Sequence, residues 1–332
     1  MLSSHNKTRR AATAFASLAA ITAFALTGCT TPESDTSGDS VDKRYEISVV
    51  LAPLAYETAY QAEEQGYFDE LGLDVTLIPG GDPAANLAQL VSGEVDIAMV
   101  AASTAITAAT NGMPIKVILN NESIDPTAST SGLVAQKGSD ITSMADMAGK
   151  TVAVLGLSTG AEIQLFEAAE DAGVAFDDVE LVVTPLPGMI EALAQGHVDT
   201  ALIFPPFYSI AQAQGFPVVA EPTKEYGGGT PNTMWVTTEA KLSSDADMID
   251  RFREAMTKAY DFYNDNFEDA RRITGEQSEL SPEMLADRVY VKREPQVNVE
   301  RLQNLLELME RFGQVEDAPS AKDLLDSETP TK

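Results

Sequence analysis

Two periodicities alternate along most of this chain. Short apolar runs of the kind buried parallel strands require occur at Tyr45–Leu51, Leu73–Leu77, Val95–Val100, Met113–Leu119, Thr151–Leu155, Val179–Val183 and Val198–Phe204. Between them, apolar residues fall at helical spacing. Ala59, Tyr60 and Ala62 do so within Tyr56–Gln65, which Gly66 ends. Asp82 and Pro83 fit an N-cap followed by proline at the first helical position. This alternation predicts an α/β protein.

One unit of the pattern occurs twice. Leu87-Ala-Gln-Leu-Val-Ser-Gly-Glu-Val-Asp-Ile-Ala-Met-Val100 returns as Ile190-Glu-Ala-Leu-Ala-Gln-Gly-His-Val-Asp-Thr-Ala-Leu-Ile203. Leu90, Gly93, Val95, Asp96 and Ala98 match Leu193, Gly196, Val198, Asp199 and Ala201 at one constant offset. In both, a helix ends at a glycine suited to positive φ, and a buried strand follows. A repeated helix–glycine–strand unit predicts two similar α/β lobes.

The ends of the chain read differently. Lys7, Arg9 and Arg10 precede an uncharged apolar run, Ala11–Leu26, the pattern of an export signal too short for a permanent span. Sec and twin-arginine export both stay open. Leu26-Thr27-Gly28-Cys29 resembles the lipobox of bacterial lipoproteins, which implies cleavage before Cys29 and diacylglycerylation of its thiol. Residues 1–28 are then signal peptide and 29–44 a polar flexible tether. Gly227, Gly228 and Gly229, within Glu225–Pro231, predict a hinge or flexible loop. Trp235, in the apparent return strand Asn232–Thr238, is expected near that hinge. After Ser243 the pattern is helical at Met248–Phe267, Glu268–Thr274, Pro282–Val291 and Val299–Phe312, and residues 318–332 read as a frayed tail.

Composition narrows the function. The 332 residues carry a formal charge of −29, which makes nucleic acid a poor partner. One cysteine excludes an intrachain disulfide. Two histidines, His5 and His197, argue against a His-based triad and a multi-His zinc site. No metal and no cofactor is expected.

Gly66-Tyr-Phe-Asp-Glu-Leu-Gly-Leu-Asp-Val75 resembles a signature of the extracytoplasmic solute-binding proteins of ABC importers, in the SsuA/THI5-like branch of sulfonate, nitrate, taurine and thiamine-precursor binders. Gly93-Glu-Val-Asp-Ile97 and Ser139–Val154 match the family's next two landmarks. The resemblance implies a two-lobed, periplasmic-binding-protein-like (type II) α/β fold with the ligand in a cleft that closes on binding. It also implies ABC permease and ATPase partners, a monomer, and no catalysis. Lobe 1 is expected over 45–137, lobe 2 over 138–230, and a return to lobe 1 with C-terminal helices over 231–317.

Site candidates sit at strand ends, where open α/β sheets bind ligands against helix N-termini. Pro53, Leu54, Tyr56 and Glu57 follow the first strand. Ser103 or Thr104 would cap the next helix. Ser158, Thr159 and Gly160 form a Gly-flanked turn, with Thr159 and Glu162 at capping-box spacing. Phe204, Phe207 and Tyr208 are available to stack on a flat ligand or to pack inside the lobe.

No arginine lies between Arg44 and Arg251, and arginine is the usual clamp for a sulfonate or carboxylate. Glu57 reads either as a ligand-facing carboxylate or as a solvated first-turn residue. The expected solute is therefore small, polar and nitrogen-containing, an amine or a thiamine-precursor-like pyrimidine. The alternatives are a sulfonate-, nitrate- or taurine-type anion, a secreted enzyme of the same fold, or a sensor accessory protein.

Overall fold

The structure is a computed structural model that describes residues 43–332 apart from Leu54, Asp82, Ser158, Pro206, Glu279 and Asp287. The expectations for the signal peptide, Cys29, the tether up to residue 42, Leu54, Asp82 and Ser158 lie outside the described residues.

Ten strands form among the described residues: β1 (Tyr45–Val50), β2 (Leu73–Ile78), β3 (Ile97–Ala101), β4 (Ile115–Ser123), β5 (Gly132–Ala135), β6 (Thr151–Val154), β7 (Glu180–Val183), β8 (Thr200–Ile203), β9 (Val218–Ala220) and β10 (Pro231–Thr238). The apolar runs supply β1–β4 and β6–β8, the return strand is β10, and no expectation from the sequence covers β9. They build two five-stranded sheets, β2-β1-β3-β10-β4 and β7-β6-β8-β5-β9. Each sheet has three parallel strands, then one antiparallel strand (β10 or β5), then an outer strand. The antiparallel strand of each sheet arrives from the outer strand of the other.

The repeat occupies equivalent places. The helix Pro83–Ser92 leads into β3, and the helix Met189–Gln195 into β8. Gly93 and Gly196 end those helices at φ of 79° and 71°, left-handed values that a Cβ disfavours. The repeated aspartates also do one job. Asp96 Oδ2 accepts from the Ser48 N–H of β1 at 2.8 Å, and Asp199 Oδ2 from the Thr151 N–H of β6 at 2.9 Å. Each ties the third strand of its sheet to the second.

The lobe boundary differs from the expected 137/138. β5 pairs with β8 from Gly132↔Ile203 to Ala135↔Thr200, so the second lobe begins at Gly132. The sequence hides this because four buried apolar residues fit either sheet. Two segments cross between the lobes, residues 124–131 and 221–230. They are bonded to each other, Ile124 N–H to Thr230 O at 2.9 Å and Gly229 N–H to Ile124 O at 2.8 Å. Gly229, at φ 78°, lies in the glycine run read as a hinge, but the helix Pro222–Gly227 occupies the start of that run.

Trp235 is not at the hinge. It is fully buried in the first lobe, edge-on to Phe252 at 5.3 Å, with its Nε1–H donated to Tyr260 OH at 2.8 Å. The helix Ala246–Asp265 covers it, and the helix Val299–Arg311 covers the other face of the same sheet. The helix expected at 282–291 is only Pro282–Ala286, and residues 288–293 run without helix.

The last residues are not frayed. Ala321 and Leu324 are buried, Thr329 Oγ1 donates to Val117 O at 2.7 Å, and Leu325 and Thr331 form bridges to Val117 and Val297. Their partners are remote in sequence, so local polarity misled the reading.

Candidate ligand-binding site

Both crossings leave and enter at the edge where the parallel strands end. The carboxyl ends of β1 and β3 in one lobe and of β6, β7 and β8 in the other therefore flank the hinge. The candidate residues divide between these two edges.

On the first lobe, the loop after β1 is tightly held. Ala55 has φ 64°, a left-handed conformation that costs an L-residue roughly 1–2 kcal/mol. Asn121 of β4 offsets this by donating Nδ2–H to Ala55 O at 3.0 Å and to Thr233 Oγ1 at 3.0 Å. Its Oδ1 accepts from Thr58 Oγ1 at 3.2 Å. The fully buried Asn121 thus joins loop, helix and return strand, and the sequence reading missed it. Below the loop, a Cβ on Gly80 would stand 1.7 Å from the Leu51 carbonyl oxygen. Pro53 is exposed and Tyr56 half-buried, its ring edge-on to Tyr60 at 6.0 Å. Burial pushes the Tyr56 phenol up to about 12.

Glu57 settles neither as a ligand carboxylate nor as a solvated one. It begins the helix Glu57–Glu64 and is fully buried. Its Oε1 accepts from Arg288 Nη2 at 2.7 Å and from Thr274 Oγ1 at 3.0 Å, and Oε2 faces Arg293 Nη2 at 3.5 Å. Arg288 also donates to Thr274 and lies over the Tyr290 ring, while Arg293 pairs with Glu122. Burial alone would raise the Glu57 carboxyl. The Arg288 and Arg293 guanidiniums, with hydrogen bonds from its helix start and Thr274, more than offset that and hold it below the usual carboxylate range. The arginine gap along the chain is closed in space by residues more than two hundred positions away.

Ser103 and Thr104 are not caps. The helix Ala102–Thr110 starts after Ala101, which has no side-chain cap, so both stand in its first turn, Ser103 buried and Thr104 half-buried. On the second lobe the predicted capping box is present. Thr159 Oγ1 accepts from Glu162 N–H at 3.2 Å, and Glu162 Oε2 from Thr159 N–H at 3.4 Å, ahead of the helix Gly160–Asp171. The Thr159 hydroxyl is therefore engaged, and Gly160 lies half-buried behind it.

Beside it, Leu155 and Leu157 are 46% and 57% exposed, and Val183, paired with Val154, is 56% exposed. Three large aliphatics thus face solvent at one edge. Phe204 and Phe207 are half-buried against the second lobe's two core clusters. Tyr208 is buried at the hinge root. Its ring fills the space a Cβ on Gly132 would need, 2.6 Å away, and its hydroxyl donates to Glu221 Oε1 at 3.0 Å. Lys224, on the same crossing, is committed to Glu221 and Ser129.

Known proteins share this arrangement. The profile of the NMT1/THI5-like family matches residues 56–270. A putative binding protein of Bacillus subtilis, YtlA, is 25% identical over 309 residues, 88% of each chain. The taurine-binding periplasmic protein of Escherichia coli is 24% identical over 225 residues, 66% of this chain and 68% of that one. The periplasmic aliphatic sulphonate binding protein SsuA of Escherichia coli superposes with a TM-score of 0.73 at 16% identity, covering 86% of this chain and 94% of that one. With its paired sheets, its crossed return strands and this profile match, the chain belongs to the NMT1/THI5-like family and has the fold of the periplasmic solute-binding proteins.

Proposed function

We propose that this protein is the lipid-anchored substrate-binding component of an ABC importer, and that it captures a small, nitrogen-containing solute without net negative charge. The solute sits between the carboxyl edges of the two sheets and is handed to the permease unchanged. One observation carries the ligand reading. Lys224 on the crossing, and Arg288 and Arg293 beside the loop after β1, are each already paired with a carboxylate of the chain. A buried anion without a paired cation costs several kcal/mol, and a helix terminus offsets only ~0.3–2 of that. A neutral or cationic nitrogen compound avoids the penalty. Exposed Leu155, Leu157 and Val183 favour a solute with an apolar body over a compact inorganic ion.

A second reading has its own support. Two of the similar proteins are named for taurine and for aliphatic sulphonates. A sulfonate would rest on the uncapped N–H groups at Ala102–Thr104 and on those at Gly160. Calorimetry against a panel of amines, pyrimidines, taurine, alkanesulfonates and nitrate separates the two. The expected outcome is binding of an amine or a pyrimidine. Tight binding of an alkanesulfonate or nitrate, with none of amines or pyrimidines, would overturn the charge argument.

A further inference from the structure

The two lobes touch at a second place, beside the hinge and away from the candidate site. Phe166 belongs to the helix Gly160–Asp171 of the second lobe, and Phe312 directly follows the helix Val299–Arg311 of the first. Their rings lie 5.3 Å apart, and Phe176 of the second lobe closes the triangle at 5.3 Å from Phe166 and 5.4 Å from Phe312. Ile163 and Phe166 are buried in the same apolar cluster as Leu302, Leu305 and Met309 of the first lobe. Arg311 caps the contact with an ion pair to Glu170 and lies over the Phe312 ring.

We propose that this aromatic triangle and its ion pair form a side brace that selects one angle between the lobes. The apparent affinity for any cleft ligand is then set partly by residues that never touch the ligand. The argument is mechanical. The crossings are two short segments joined by a pair of backbone hydrogen bonds at Ile124, Gly229 and Thr230, the kind of few-residue connection about which lobes rotate. Packed aromatics have short-range contacts and discrete seatings, so the triangle cannot follow a rotation continuously. It must stay seated or separate. A contact present in one lobe arrangement and absent in another biases the equilibrium between them, and with it any ligand that prefers one arrangement.

The test needs no ligand, so it stands apart from the choice of solute. Spin labels go on Ser92→Cys and Gln195→Cys in a Cys29→Ala background. These are repeat-equivalent exposed positions, one on each lobe and outside the brace. The probe is the inter-label distance distribution. With the brace intact, one population should dominate. Phe312→Ala should send at least about a tenth of the molecules to a second distance. Arg311→Glu should do the same in a smaller fraction. It sets a carboxylate against Glu170 at a side chain that is 57% exposed, so it leaves the core intact if Phe312→Ala fails to fold. Distance distributions identical to the parent in Arg311→Glu would overturn the brace if Phe312→Ala does not fold, and identical distributions in a folded Phe312→Ala would overturn it outright.

Discussion

Glu57 is fully buried and ion-paired with Arg288 and Arg293. The sequence places it one turn into a helix beside a strand end, whereas in the structure it is the first residue of that helix. Its charge environment comes from Arg288, Arg293 and Thr274, whose proximity no local pattern encodes. Removing one member of a buried ion cluster leaves uncompensated charge, so Glu57→Gln should destabilise the protein by about 3 kcal/mol. Urea unfolding at neutral pH measures this.

The pH dependence has a definite sign. The folded Glu57 carboxyl lies below its unfolded value, so its stabilisation is complete above pH ~4.3 and fades as the pH falls through the folded value. The gap in urea midpoint between parent and Glu57→Gln should therefore narrow in acid. A gap that is absent at neutral pH, or that widens in acid, would show that the cluster is not ionised as described. Thr159 is the opposite case. Its cap lies three residues from its partner, and the sequence alone located it.

At the scale of elements, legibility followed contact range. The strands β1–β4 and β6–β8, the glycine-ended helices and the return strand β10 all carry their signal within a dozen residues. The tail beyond residue 318 and the assignment of β5 do not, because register with a remote strand decides them. The loop after β1 is set by such a remote contact too. The turn at Gly80 passes so close to the Leu51 carbonyl that no side chain fits, and the clash is with backbone, which cannot swing aside.

Gly80→Ala should cost about 1–3 kcal/mol, in the range of overpacking. It should also weaken ligand binding, because Leu51 leads directly into the Pro53–Tyr56 segment. Gly81→Ala is the internal control. Nothing lies within 4 Å of a Cβ there, so stability should be unchanged or raised by about 0.4–1 kcal/mol. Equal melting temperatures for the two variants would mean that the Leu51 contact does not fix this loop.

At the scale of the whole molecule, the sequence charge and the proposed location pull against each other, and their reconciliation is testable. A chain of formal charge −29 is repelled by the anionic surface of a bacterial membrane, so electrostatics cannot hold it there. Among the described residues, no helix is long and apolar enough to cross a membrane. The proposed anchor is Cys29, which follows Leu26-Thr27-Gly28 and offers a thiol for acylation. One acyl chain gives only marginal, reversible membrane binding, with an association constant of ~10⁴ M⁻¹, whereas two chains together anchor stably. A diacylglyceryl group supplies two. Cys29→Ala should therefore move the protein from the membrane fraction to the soluble one, and high salt should not release the parent, since no ionic contact holds it. The ligand affinity of the released protein should match that of the parent, because residue 29 precedes the first strand by more than a dozen positions. If Cys29→Ala still sediments with membranes as the parent does, the anchor lies elsewhere in the chain or in a partner.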